Sequence, residues 1–180
     1  MILTRKTFLT GAAAALLAQA VPLRGHATPP GLIPEAELRM IETRSGGRLG
    51  FAALDSQDGR FSSWRGEERF ALSSTFKFLL AAAVLMRADT RQEQLERAVN
   101  VPAAGLVDWS PDTERHAGGS MTVWSLCKAA VTRSDNTAAN LLLETLDGPD
   151  GFTRLMREAG DRVTRLDRIE PALNEAAPGD

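Results

Sequence analysis

The stretch STFKFLLAAAVLM, residues 74–86, carries one charge in an otherwise apolar run. Its length and continuous hydrophobicity predict a buried helix over Phe76 to Met86. The charged residue, Lys77, lies three positions after Ser74, so both side chains share one face of a helix that begins at Ser74. A serine hydroxyl becomes an effective nucleophile when a base takes its proton, and burial disfavours the charged form of an amine. This stretch therefore predicts a nucleophile with a base beside it.

The Ser-x-x-Lys pattern is not specific by itself, because about one match is expected by chance at ordinary composition. A second copy runs from Ser125 to Lys128. It falls inside a predicted amphipathic helix over residues 122–132, which Thr122 can cap. Ser125 lies in the first turn of that helix and Lys128 is expected to face solvent. We interpret the second copy as structural.

Two further polar segments follow the first one in the chain. Ser134-Asp135-Asn136 lies between the helix over residues 122–132 and another predicted over residues 136–146. Short polar side chains between two helices can point into a cleft, although helix capping alone also explains them. Glu170 and Asn174 lie in the segment 168–180, whose prolines and glycine exclude a regular helix. A carboxylate and an amide on such a loop can hold one water, or they can be ordinary residues of a solvated loop.

The N-terminus has the layout of a secretory signal. Residues 1–27 begin with the basic pair Arg5-Lys6, continue with the apolar run Phe8–Leu17, and end with small residues that allow cleavage after Ala20 or Ala27. The apolar run is too short to span a bilayer. We expect a periplasmic or secreted protein with no stable membrane anchor after signal removal, exported by the general secretory or the twin-arginine route. A cytosolic N-terminal helix is the alternative.

Composition limits the remaining possibilities. With 180 residues and 43% hydrophobic content, the chain can form one ordinary domain or two small lobes. Its formal net charge of −2 gives no support for nucleic-acid binding, which favours a basic face. The only cysteine, Cys127, cannot form an internal disulfide and suggests no zinc site. Its spacing to Leu126 and Ala130 predicts a buried thiol on the apolar face of a helix.

The pattern predicts an α+β protein. The remaining elements expected are a helix over 35–43, a hairpin of strands 49–54 and 61–64 turned by Asp58-Gly59, a helix over 92–99, and a helix over 151–159. No further strand is expected, so the helical lobe is predicted to be all-helical and the sheet to hold the first hairpin only. The predicted domains are a signal peptide at 1–27, a helix-and-hairpin region at 28–66, and a helical region at 67–180.

From about Leu38 to Asp180 the chain resembles the class A serine β-lactamases. The stretches that carry the resemblance are SGGRLG at 45–50, FALSSTFK at 70–77, SDNTAAN at 134–140 and RIEPALNEAAPGD at 168–180. The motif set of this family also includes a later Lys-Thr-Gly, which does not occur in these residues. The resemblance therefore implies a serine β-lactamase/DD-peptidase-like fold with an incomplete sheet, and a truncated chain that is weakly active or inactive.

The resemblance implies roles for particular residues. Ser74 would attack the β-lactam carbonyl, and either Lys77 or Glu170 through a water would be the base in that step. Glu170 would activate the water that clears the acyl-enzyme, with Asn174 holding that water. Ser134 would pass a proton to the lactam nitrogen. No metal or cofactor is implied, and the expected partner of a monomeric protein is a small β-lactam.

Further implications concern substrate binding and loop geometry. Asn136 would bind the side-chain amide of the substrate, and Trp109 matches an aromatic residue at the pocket rim. A plain core tryptophan is the alternative for Trp109. The bond before Pro171 is expected to be cis. Cys127 matches half of a disulfide found in some relatives, but its partner position is Ala81. Arg168 is expected to pair with an aspartate beyond the given residues.

Two alternatives remain at this stage. A penicillin-binding transpeptidase or carboxypeptidase shares Ser-x-x-Lys and is acylated, but it lacks the water-holding pair Glu170 and Asn174. A non-enzymatic product is the second alternative, either a non-functional truncated chain or a penicillin-sensing domain. A sensor would need a membrane-spanning region. Reading the coding frame past Asp180 would reveal a truncated chain.

Overall fold

Five α-helices and four short strands make up residues 32–175, the part of the chain that this computed structural model describes. In chain order they are α1 (Glu35–Ser45), β1 (Phe51–Leu54), β2 (Phe61–Trp64), α2 (Phe76–Asp89), β3 (Ala98–Asn100), β4 (Ser120–Thr122), α3 (Val123–Arg133), α4 (Asn136–Glu144) and α5 (Gly148–Glu158). Short 3₁₀ turns occupy Ser73–Thr75, Thr113–His116 and Ala172–Asn174. The α+β class is confirmed. The predicted signal peptide lies outside the described residues.

The described residues form two compact units that divide between Phe70 and Ala71. The first unit holds α1 and the predicted hairpin, in which β1 and β2 pair antiparallel. Glu42 of α1 accepts hydrogen bonds from Trp64 Nε1 at 3.2 Å and from Arg65 Nε at 2.7 Å. The bond from Arg65 is the main reason that the pKa of Glu42 falls to about 2. The domain boundaries given above stay predictions.

The second unit is built around α2, which packs against α3, α4 and α5. Phe76 and Phe152 meet edge to face with ring centroids 6.5 Å apart, and both are fully buried. Cys127 is buried in the same core, and burial raises the pKa of its thiol to about 12. The predicted buried helix and buried structural thiol are both confirmed.

The connection between α3 and α4 is only two residues long, and it sets the position of the polar segment noted above. Ser134 ends α3 in the left-handed conformation with φ 55°. Asp135 caps α4 by accepting a hydrogen bond from Ala138 N at 2.8 Å. At the other end of α3, Thr122 accepts from Ser125 N at 3.1 Å, and Lys128 is exposed. The structural interpretation of the second Ser-x-x-Lys copy is therefore confirmed.

The helix predicted over residues 92–99 is wrong. Turns lead instead into β3, which pairs antiparallel with β4. The carbonyls of Leu95 and Arg97 accept hydrogen bonds from the first N–H groups of α3, Trp124 N at 2.9 Å and Val123 N at 3.0 Å. Helix starts leave such N–H groups without partners inside the helix. The backbone of Leu95 and Arg97 therefore caps another helix in place of forming its own, and tertiary pairing overrides the local helical pattern.

Two smaller differences concern the same unit. The β3–β4 ladder means that the lobe is not all-helical, and its strands of three residues each are too short to give a clear sequence pattern. The regular part of α2 begins at Phe76, because residues 73–75 form a 3₁₀ turn. Among the described residues, no helix has the length and hydrophobicity that crossing a membrane requires.

Candidate active site

Ser74 lies in the 3₁₀ turn that leads into α2, where its side chain is exposed. The residue before it, Ser73, has a φ of 44°, which is uncommon for a residue with a side chain. Trp109 at 60° and Ser134 at 55° share this left-handed conformation. Such strained residues cluster at functional sites. Three residues in this conformation thus lie at or beside the candidate site residues, and Arg65, Arg91 and Asp147 adopt it elsewhere in the described part of the chain.

Lys77 is the centre of the site. It is 1% exposed, and its Nζ lies 3.3 Å from Ser74 Oγ, which confirms the reach predicted from the i, i+3 spacing. The same nitrogen lies 2.9 Å from Ser134 O, 3.2 Å from Ser134 Oγ and 2.5 Å from Asn136 Oδ1. Glu170 Oε1 is 3.0 Å away. One ammonium therefore joins α2, the Ser134 linker, α4 and the loop that carries Glu170.

Glu170 is 2% exposed, and Lys77 is its cationic partner. Its Oε2 accepts a hydrogen bond from Asn174 Nδ2 at 2.7 Å. Its Oε1 lies close to Lys77 Nζ, but the angles are not those of a hydrogen bond, so lone pairs of Oε1 remain able to accept a proton. The Glu170–Pro171 bond is cis, as the resemblance implies. A buried carboxylate that is ion-paired on one oxygen and hydrogen-bonded on the other is suited to act as a base.

Asn140 fixes the backbone of Glu170, a role that the sequence analysis did not identify. Its Nδ2 donates to Glu170 O at 3.0 Å, and its Oδ1 accepts from Glu170 N at 3.0 Å. This amide pairs with both polar groups of one residue 30 positions away. Asn140 lies one helical turn after Asn136, and that spacing alone could have placed it on the same face of α4.

Replacing Asn140 with leucine is expected to loosen the loop around Glu170. Both backbone groups of Glu170 would lose their partners at nearly constant side-chain volume, a cost of about 1–3 kcal/mol. Hydrogen exchange of a peptide covering residues 168–173, followed by mass spectrometry, should accelerate about tenfold or more. Asn100→Leu, on the exposed strand β3, is the control and should leave this peptide unchanged. Equal exchange in both variants would contradict the assigned role.

Asp135 ties the Ser134 linker to the segment before β4. Its fully buried carboxylate accepts from Asp112 N at 2.9 Å, from Thr113 N at 2.9 Å, and from Thr113 Oγ1 and Ala138 N at 2.8 Å. Four donors satisfy the carboxylate without a cation. Asp135 therefore caps α4, as the structural alternative proposed, and it also fixes the segment at Asp112 and Thr113.

Trp109 is 71% exposed, so the core alternative for this residue is wrong. Its Nε1 donates to Arg133 O at 3.2 Å, and its carbonyl accepts from Asn136 N at 3.0 Å. The ring is thus held at its polar edge while most of its surface faces solvent. Arg168 donates to Glu175 O at 2.8 Å, and its expected pairing with an aspartate stays a prediction.

The predicted site residues therefore fall into one group within the second unit. Ser74, Ser134, Asn136 and Glu170 surround Lys77 directly. Asn174 joins through Glu170, and Trp109 joins through the backbone of Asn136. No group of three His, Cys, Asp or Glu side chains within residues 32–175 is arranged to hold a metal ion. The arrangement offers an accessible hydroxyl, a buried lysine, a second hydroxyl and a buried carboxylate, which are the parts of acyl transfer to serine followed by hydrolysis.

Comparison with known proteins agrees with this chemistry. Residues 34–180 match the model of the β-lactamase enzyme family. An ancestral class A β-lactamase structure, reconstructed for Gram-negative bacteria, superimposes with a TM-score of 0.77 at 59% identity, covering 81% of this chain and 56% of its own. A β-lactamase from Xanthomonas campestris pv. campestris gives 0.77 at 47% identity, covering 81% and 54%. The chain thus spans little more than half the length of these structures.

Proposed function

The chain belongs to the class A serine β-lactamases, and from that membership we propose that it opens the β-lactam amide through an acyl-enzyme on Ser74. The observation that carries the proposal is the convergence of Ser74 Oγ, Ser134 Oγ and Glu170 Oε1 within 3.3 Å of Lys77 Nζ. Nucleophile, proton donor and base then share one cation. The hydroxyl that would attack is exposed, whereas the two charges beside it are buried.

The proton balance around Lys77 favours Glu170 as the base that activates Ser74. Three neighbours of Nζ have oxygens that can only accept: Ser134 O, Asn136 Oδ1 and the Glu170 carboxylate. Two of them accept hydrogen bonds from Nζ, and the third is a carboxylate 3.0 Å away that supplies the opposite charge a buried ammonium needs. We infer that Lys77 is the cationic partner of this ion pair, which leaves the carboxylate as the group that takes the proton of Ser74 through a water. The ammonium would stabilise the serine alkoxide as it forms.

Collapse of the tetrahedral intermediate needs a proton at the lactam nitrogen. Ser134 Oγ is the hydroxyl next to Lys77 Nζ, at 3.2 Å, so it can give its proton to the nitrogen and regain one from Lys77. Asn136 keeps one N–H of its amide for the substrate, since the other donates to Asp108 O at 2.8 Å. The exposed face of Trp109 would contact the substituent that the β-lactam carries.

Deacylation is the step that distinguishes a β-lactamase from the transpeptidase alternative, because only the β-lactamase hydrolyses its acyl-enzyme efficiently. Glu170 with Asn174 offers a base and an amide 2.7 Å apart on one loop, suited to hold and deprotonate the water that attacks the ester. An enzyme without this pair would remain acylated. The observation therefore favours a β-lactamase over a penicillin-binding transpeptidase or carboxypeptidase.

We further propose that the protein is exported and works as a monomer on small β-lactams. The support for export is the arrangement of residues 1–27, with its basic start, apolar run and small residues before two cleavage positions. A periplasmic or secreted location would place the enzyme where β-lactams arrive, in line with a role in antibiotic resistance. Detection of a mature N-terminus at residue 21 or 28 in exported material would test it.

The proposed reaction is tested by incubating the purified protein with benzylpenicillin and following protein mass and intact drug over time. We expect a transient covalent adduct together with hydrolysed drug, and loss of both in Ser74→Ala, which removes only one oxygen from an exposed side chain. An unmodified protein with intact drug would contradict the proposal for this chain. Hydrolysis that persists in Ser74→Ala would contradict the acyl-enzyme.

A further inference from the structure

Two buried hydroxyls lie next to the site but contact none of the groups assigned to the reaction. Ser110, before the 3₁₀ turn at 113–116, is 5% exposed, and Thr137, in the first turn of α4, is 4% exposed. Their oxygens are 2.7 Å apart. Buried hydroxyls are costly unless they are hydrogen-bonded, so the partners of this pair define what it holds.

Four hydrogen bonds involve the two hydroxyl oxygens. Val107 N donates to Thr137 Oγ1 at 2.9 Å, and Thr137 N donates to Ser110 Oγ at 3.1 Å. The hydroxyl of Ser110 is 2.6 Å from Val107 O and 2.7 Å from Thr137 Oγ1, and it can donate to either acceptor. The pair therefore pins both backbone groups of Val107 to the start of α4. The two residues between the pinned points are Asp108 and Trp109.

The carbonyls of Asp108 and Trp109 are thereby directed at Asn136. Trp109 O accepts from Asn136 N at 3.0 Å, and Asp108 O accepts from Asn136 Nδ2 at 2.8 Å. A carbonyl can only accept and an ammonium can only donate. Only one orientation of the Asn136 amide satisfies both neighbours, with Nδ2 on Asp108 O and Oδ1 on Lys77 Nζ.

We propose that Ser110 and Thr137 are positioning residues that orient the Asn136 amide through the Asp108 carbonyl, so that its oxygen faces Lys77. Without the pair, the carbonyl is released and the amide can turn its NH₂ group toward the ammonium. That orientation repels Lys77 from its place beside Ser74. The consequence for acylation rests on the function proposed above, whereas the consequence for Lys77 does not.

The first test measures the acylation of Ser74 by benzylpenicillin in Thr137→Val and Thr137→Ser. Valine keeps the shape but removes both hydroxyl hydrogen bonds, and serine restores them. At saturating drug, the rate constant of acylation should fall about tenfold in Thr137→Val, corresponding to one lost hydrogen bond, and return in Thr137→Ser. The fraction of molecules that become acylated should stay the same.

A merely structural role would give the opposite result, a smaller acylated fraction with an unchanged rate constant, and this would overturn the proposal. Thr122→Val is the matched control. It removes a hydroxyl that caps α3 at the end distant from Ser134, with a stability cost of about 1 kcal/mol. We expect no change in its acylation rate constant.

The second test does not require acylation and uses protein labelled with ¹⁵N at lysine Nζ. In the unaltered protein the ammonium protons of Lys77 should exchange with water far more slowly than those of Lys128, which is exposed. Thr137→Val should accelerate exchange at Lys77 tenfold or more, and Thr137→Ser should restore it, with Lys128 unchanged. If the unaltered protein is not acylated, the proposed function fails while this measurement still decides the positioning role. Unchanged exchange in Thr137→Val would overturn it.

Discussion

Glu170→Gln is expected to trap the protein as a stable penicilloyl adduct. Glutamine keeps the length of the side chain and an oxygen that can still accept from Asn174 Nδ2, so the loop should hold its shape. It cannot take a proton from water. Loss of a general base typically costs about 10²–10⁴ in rate, and the mass spectrum should show an adduct that persists after excess drug is removed.

The control for this experiment lies on the same loop. Glu175→Gln makes the same chemical change at an exposed position, whose backbone oxygen accepts a hydrogen bond from Arg168. Its adduct should disappear as fast as that of the unaltered protein. If the Glu170→Gln adduct is released equally fast, Glu170 is not the base for deacylation. If Glu170→Gln also forms the adduct more slowly, the assignment of Glu170 to the first proton transfer gains support.

Local spacing predicted the part of the site that lies on one element. The i, i+3 relation of Ser74 and Lys77 follows from helix geometry, and the two side chains do meet. The interval between Glu170 and Asn174 likewise brings two side chains of one loop together. Such contacts depend on a few neighbouring dihedral angles, which residue types in the segment largely determine.

Contacts between distant segments could not be predicted in the same way. Asn140 binds Glu170 across 30 residues, and Asp135 binds Thr113 across 22. Each of these polar residues also has a plausible local role, on a helix surface or as a cap, so their local patterns do not point to a distant partner. The strand Ala98–Asn100 was not predicted for the same reason, because its backbone pairs with a strand about 20 residues later in the chain.

Lys77→Met is expected to be the most destabilising of the substitutions considered. Methionine fills similar apolar space but leaves Glu170, 2% exposed, without its cation. Removing one partner of a buried ion pair costs about 3–5 kcal/mol, because the remaining charge is neither hydrated nor compensated. Urea unfolding followed by circular dichroism should show this loss. Acylation should also be lost, since the group that orients Ser74 and Ser134 is gone.

The double variant Lys77→Met/Glu170→Gln distinguishes an orphaned charge from a packing defect. With both charges of the pair removed, neither partner is left as an uncompensated buried charge, so most of the stability lost in Lys77→Met should return. Arg154→Met serves as the surface control: it breaks an ion pair to Asp147 whose side chains are 61% and 80% exposed, and exposed pairs contribute at most about 1 kcal/mol. If the double variant were as unstable as Lys77→Met, the defect would lie in packing around α2. Recovery of stability without recovery of acylation would show that Lys77 is kept for the reaction, because the fold itself can do without the charge.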